Sequence, residues 1–221
     1  MFVGHFGAAF AATKLKGAPS LPVLLIAGQA TDYGFFALSI FGIERFRIDE
    51  GLMKLSDLDL MHMPWTHSLV ATAVWAAGFG LLVWLLTRRA SAGWTGAAVV
   101  ASHWLLDLLV HRPDLTLAGS PPKLGLGLWN VPPVEIPLEL SILIGGAWLY
   151  SRAIPSATTA GRVALWLLVA ALVVLQFVNW FVPPSFTAPP LIALQALSVF
   201  AVVALLGWGV DRLRKRSPRA A

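Results

Sequence analysis

Long apolar runs separated by short polar intervals organise this chain. Ser20–Ile43, His67–Thr87, Gly93–His111, Val134–Tyr150, Val163–Phe181 and Leu191–Trp208 are each close to the roughly 20 residues that an α-helix needs to cross a hydrocarbon core. A shorter run, Phe2–Thr13, stops at Lys14 and Lys16 and predicts a half-buried helix packed on the others. The pattern predicts an all-α fold: a polytopic transmembrane bundle of six spans plus a short N-terminal helix. The longest polar interval, Glu44–Thr66, is too short for a soluble domain, so residues 1–221 are expected to form one integral-membrane domain.

Composition agrees, with 57% hydrophobic and 12% charged residues and a mean hydropathy of +0.75. No cysteine is present, which excludes a disulfide framework and thiolate metal ligands, so any metal must be held by His and carboxylate. The net charge of +5 comes from basic residues scattered over short loops and a tail, a topology signal rather than a nucleic-acid patch. A cytoplasmic tail (Arg212, Arg214, Lys215, Arg216, Arg219) would place Lys14, Lys16, Arg88, Arg89, Arg152 and Arg162 on the same side by alternation. The opposite side keeps Arg45, Arg47, Lys54, Arg112 and Lys123 against six carboxylates. The expected location is a bacterial inner membrane with the C-terminus cytoplasmic. Met1–Thr13 has no positive charge before its apolar run, unlike a signal peptide, and is expected to remain in the mature fold. Trp65, Trp148, Tyr150, Trp166, Trp180 and Trp208 fall near span ends, where aromatic rings anchor at the interface.

The costly residues are the informative ones. His103, Asp107 and His111 recur every four residues in an apolar segment, which stacks them on one helix face. Asp32 lies halfway along a span with no basic residue of its own. An intramembrane carboxylate costs about 3 kcal/mol on insertion scales, so it needs a partner or a task. His67 opens the third segment after Thr66, the expected N-cap, and His5 opens the first. Alternation lets His5, Asp32, His67, His103 and Asp107 meet in the outer half of the bilayer, provided that Asp57–Thr66 dips inward to line a wet cavity. His111 and Arg112 are expected at its rim, Arg112 as a clamp for a phosphate head group. His62 is read as a loop residue near the site. Glu135 and Glu139 are rim charges or partners of the ligands. Gln176 and Asn179 are interhelical glue.

With Thr66-His67-Ser68-Leu69, then Ser102-His103-x-x-x-Asp107, and an early His5 and Asp32, residues 1–150 resemble the YdjM-like family. These are LexA-binding, inner-membrane-associated proteins regarded as metal-dependent hydrolases and as distant relatives of zinc-dependent phospholipase C. The last two spans add nothing to the resemblance. It implies that His5, Asp32, His67, His103 and Asp107 hold one or two Zn²⁺ ions. Asp107 would bridge, and Asp32 would serve as general base. The chain departs from the family's Pro-Asp-x-Asp stretch, reading Ala30-Thr31-Asp32-Tyr33.

The expected function is therefore hydrolysis of a phosphoester, on a lipid or lipid-linked substrate, by a metal-activated water. Arg112, His111 and His62 would contact the substrate. The alternative is a metal-ion or proton transporter using the same His/Asp cluster. A third reading is a scaffold whose buried polar groups only fix packing.

Overall fold

A computed structural model describes residues 1–215; the expected tail residues Arg216 and Arg219 lie outside it. Eight α-helices form among the described residues: α1 (Val3–Ala12), α2 (Leu21–Gly28), α3 (Ala30–Ile40), α4 (Leu69–Thr87), α5 (Ala90–Val110), α6 (Pro132–Ala153), α7 (Thr159–Phe181) and α8 (Pro189–Lys215). Every apolar run of the sequence is helical. By length and composition four of them, α4, α5, α7 and α8, can cross a membrane, or five if the pair α2–α3, bent by 54°, counts as one span. The exposed flanks of α4, α7 and α8 are apolar, with Val74, Leu82, Leu167, Val174, Leu194 and Leu205 all outward-facing. Such surfaces suit lipid rather than water. α6 is equally long but carries Glu135, Glu139 and Arg152, and it is not among those four.

The all-α expectation needs correcting in the polar intervals. The Glu44–Thr66 stretch is not irregular. β1 (Arg45–Ile48) pairs antiparallel with β2 (Leu58–His62), setting Phe46 against Leu60 and Arg47 against Asp59. Alternation explains the pairing: Phe46 and Leu60 turn inward, while the Arg47 side chain is more than half exposed and holds Asp59 at 2.9 Å. A second small pair joins β3 (Leu115–Thr116) to β4 (Lys123–Leu124). Helix α6 begins at Pro132, so Pro132 and Pro133 open a helix instead of closing a loop.

Glycines set the tightest helix contacts. A Cβ on Gly93 would come within 2.7 Å of the Gly80 carbonyl, which brings α4 and α5 together as a hairpin closed by Arg88 in the left-handed region (φ 56°). Gly7 of α1 and Gly146 of α6 meet backbone to backbone in the same way. Helices α2 and α3 pack against α8, so the last span belongs to the same core as the first segments. Tyr150 and Trp180 are buried, contrary to the interfacial placement expected for them. Tyr150 donates to Asp211 on α8 (3.2 Å).

Candidate metal centre

Four segments deliver ionisable side chains to one point. His5 comes from α1 and Asp32 from the first turn of α3. His67 precedes α4, whose N-cap is Ser68 and not Thr66: Ser68 Oγ accepts from Ala71 N. His103 and Asp107 lie one turn apart on α5, and His111 caps its C-terminus. The side chains of His5, His67, His103, Asp107 and His111 are at most 4% exposed; that of Asp32 is 17% exposed.

Asp107 is the hub. Its Oδ2 lies 3.0 Å from His103 Nε2 and 3.6 Å from His67 Nε2. Its Oδ1 faces His5 Nε2 at 3.1 Å, His111 Nε2 at 3.6 Å and the Met1 α-amino group at 2.6 Å. Asp32 Oδ1 sits 3.2 Å from His67 Nε2 and 3.5 Å from His103 Nε2. The His5 and His103 rings stack at 3.8 Å. Two triads with donor atoms within 4.8 Å of one another result: His5–His103–Asp107 and Asp32–His67–His103.

The outer face of each ring fixes what the inner face can do. His103 Nδ1 donates to the Gly28 carbonyl (2.9 Å), exposed to it by the break between α2 and α3. His111 Nδ1 donates to Asp114 Oδ1 (2.9 Å). Thr66 Oγ1 gives its proton to Glu44 Oε2 (2.6 Å) and so accepts from His67 Nδ1 (2.8 Å). Glu44 also takes the Trp65 and Thr66 backbone N–H groups. Burial pushes its carboxyl above the ordinary value, against the downward pull of the Thr66 hydroxyl. With Nδ1 protonated, a neutral ring has a lone pair and no proton at Nε2. Three rings therefore aim lone pairs at carboxylates.

His103 Nε2 and Asp107 Oδ2 are buried and 3.0 Å apart, yet neither finds a hydrogen-bond partner. Mutually facing acceptors with outer partners holding their tautomers are the arrangement of histidine and carboxylate ligands around a cation. Metal bonds of about 2.0–2.2 Å at tetrahedral angles separate neighbouring ligand atoms by about 3.3 Å, inside the 3.0–3.6 Å spread seen here. The residues present fit a divalent ion.

Other expected site residues fall elsewhere. His111 is enclosed, not at a rim, and its ring lies 4.5 Å from that of Trp129. Arg112 is no free clamp: it is spent on Asp59 and Asp114. His62 is exposed on β2 opposite Arg45, away from the cluster. Glu135 and Glu139 are fully buried instead of lying at a solvated edge. Glu139 Oε1 accepts the Phe2 and Gly4 N–H groups at the start of α1, and its Oε2 accepts from Gln176. Glu44, Thr66 and Asp114 are the residues that sequence reasoning passed over as positioning groups. Only the Thr66–His67 adjacency and the His111–Asp114 spacing offered a signal.

A cavity of about 860 Å³ reaches the cluster. Asp32, His67, Asp107 and His111 line its floor, and residues 53–58 of the β1–β2 connection line its walls together with α7 and α8. Of the stretch Asp57–Thr66 expected to dip inward, Asp57, Leu58 and Leu60 line this cavity. Fold and site together define a mostly helical protein with apolar helices long enough to span a membrane and a buried His/Asp cluster open to one cavity. No family model, curated protein or solved structure matches the chain.

Proposed function

We propose that this chain is a membrane-embedded, metal-dependent hydrolase of phosphoesters, as its resemblance to the YdjM-like family implies. The observation that carries the reading is the set of histidines held at Nδ1 by outer partners while their Nε2 atoms converge on Asp32 and Asp107. Zn²⁺ suits a nitrogen and oxygen donor set without thiolates. When bound, it lowers the pKa of water and neutralises charge developing on a phosphoryl oxygen.

The residues divide the remaining work. Asp32, the most exposed carboxylate of the cluster and part of the cavity floor, holds the attacking water and takes its proton. Asp107, fully enclosed, offers one oxygen to each half of the cluster. The closed cavity floor keeps bulk water from His5 and His103. The phosphoester enters from the cavity, where Lys54 is the lining cation.

Transport has less support. Inward of His103, Ser102 and Thr95 each donate to a carbonyl of their own helix, so the polar groups needed for a through-path are tied up. Counting α6 as a sixth span keeps α4–α8 alternating, with the cluster on the less basic side and the C-terminus in the cytoplasm of a bacterial inner membrane.

Metal analysis of purified wild type beside His103→Ala and Asp107→Ala tests the reading. Bound metal in wild type, its loss in both variants and metal-dependent cleavage of bis(4-nitrophenyl) phosphate are expected. A metal-free wild type across neutral pH would sink the proposal. Metal uptake into sealed vesicles without cleavage would favour the transporter.

A further inference from the structure

Two residues that line the cavity each hold a buried polar atom without a partner, and both belong to α7, outside the region that resembles known hydrolases. Gln176 is 1% exposed and Trp180 6% exposed, and both line the cavity. Four residues apart, they stand one helical turn from each other on one face, about 6 Å apart. Gln176 Nε2 donates to Glu139 Oε2 at 3.2 Å. A carboxylate oxygen only accepts, so the amide orientation is fixed and Oε1 is turned away from Glu139. That Oε1 is buried without a partner, and so is Trp180 Nε1. A leucine and a phenylalanine would fill the same wall without leaving an acceptor and a donor unmet.

Their position ties them to the chemistry. Glu139 also holds the Phe2 N–H, and the neighbouring Met1 amino group reaches Asp107 Oδ1. The unmet pair thus stands beside the cluster. Apolar side chains also line the cavity, among them Phe36, Leu58, Ile192, Val199 and Phe200. The cavity lining thus combines the His/Asp cluster, Gln176 and Trp180, and apolar side chains.

We propose that Gln176 and Trp180 form a subsite for a hydroxyl or secondary amide, a group that both donates and accepts, located between the phosphate and the hydrocarbon tail of a lipid phosphate. This rests on the reading that the phosphoester occupies the His/Asp cluster. Gln176 Oε1 takes the group's proton and Trp180 Nε1 donates to its oxygen. The last two spans then select the substrate that the first five helices process.

The test uses the full-length, metal-loaded protein in detergent and two probes: 1-oleoyl-lysophosphatidic acid and its 2-deoxy analogue, which lacks only the hydroxyl. Native mass spectrometry reads bound lipid, bound metal and hydrolysed product together. Wild type should bind the hydroxylated lipid about tenfold more tightly, the scale of one buried polar group left unpaired. Trp180→Phe, which removes only the N–H donor from a retained aromatic ring, should bring the ratio close to one with metal content unchanged; Gln176→Met should also bring the ratio close to one, and because Gln176 holds Glu139 its ratio is read on the metal-loaded fraction. Equal affinities in wild type would overturn the subsite and leave both atoms to bound water, as would a preference that survives in both variants. Preference without hydrolysis strikes the enzymatic reading and leaves the subsite standing. Hydrolysis of both lipids at equal affinity does the reverse.

Discussion

His67 is held in one tautomer by a chain of three groups, Glu44, the Thr66 hydroxyl and its own Nδ1. The Thr66 hydroxyl gives its proton to Glu44 and accepts from His67 Nδ1, so the relay runs from the imidazole outward. Thr66→Val removes the relay and should weaken metal binding about 10- to 100-fold, the usual cost of losing a ligand's outer partner. Thr66→Ser should restore it, as read by competitive metal titration. A valine variant with wild-type affinity would mean that the relay does not matter. Glu44 also makes a pH prediction. Burial raises its folded-state value, so the fold favours the protonated form. That contribution is complete below the ordinary carboxylate range and fades as pH rises through the raised value. As pH rises out of the ordinary carboxylate range, the unfolding temperature of wild type should fall relative to that of Glu44→Gln; parallel curves would contradict it.

At the scale of elements, α1 is pinned by close backbone approach. A Cβ on Gly28 would lie 2.8 Å from the His5 carbonyl, so Gly28→Val must push α1 off α2 and draw His5 away from Asp107. Overpacking of this kind costs about 1–3 kcal/mol. A lower unfolding temperature together with lost metal is the expected result, and full metal content in a well-folded variant would show that α1 is not needed to form the site. Helix positions and the trio of His67, His103 and Asp107 were legible because apolar runs and four-residue spacing are local signals. The β1–β2 pair was not, since Phe46 and Leu60 give too short an alternation to stand out among charges. Nor was the enclosure of His111, which depends on Asp114 turning back from beyond Pro113 and on Trp129 arriving from a distant turn. The partners of Glu139 were invisible for the same reason: Phe2 and Gly4 lie 137 and 135 residues away.

For the whole molecule, the helices carry the chain back and forth so that the cluster, β1–β2 and Lys123 share one end, while Arg89 and Arg152 occupy the other. The chain has no cysteine, so single introduced cysteines report cleanly. In sealed vesicles, Lys54→Cys and Lys123→Cys should react with an impermeant thiol reagent from one side, and Arg89→Cys and Arg152→Cys only from the opposite side. Labelling of all four from one side would refute the alternating arrangement.

The hydrogen bonds that join Phe2 and Gly4 to Glu139, and Glu139 to Gln176, also bear on how the protein is made. During synthesis His5 emerges early, yet the carboxylate that fixes its helix appears only with α6 and the amide that fixes that carboxylate only with α7. Before then, three to five ionisable groups wait in or near the bilayer without a permanent arrangement. The cluster is closed by helices made after all of its candidate ligands, so a nascent chain stalled after α5 would hold His5, Asp32, His67, His103 and Asp107 without the Glu139–Gln176 bond that completes their surroundings.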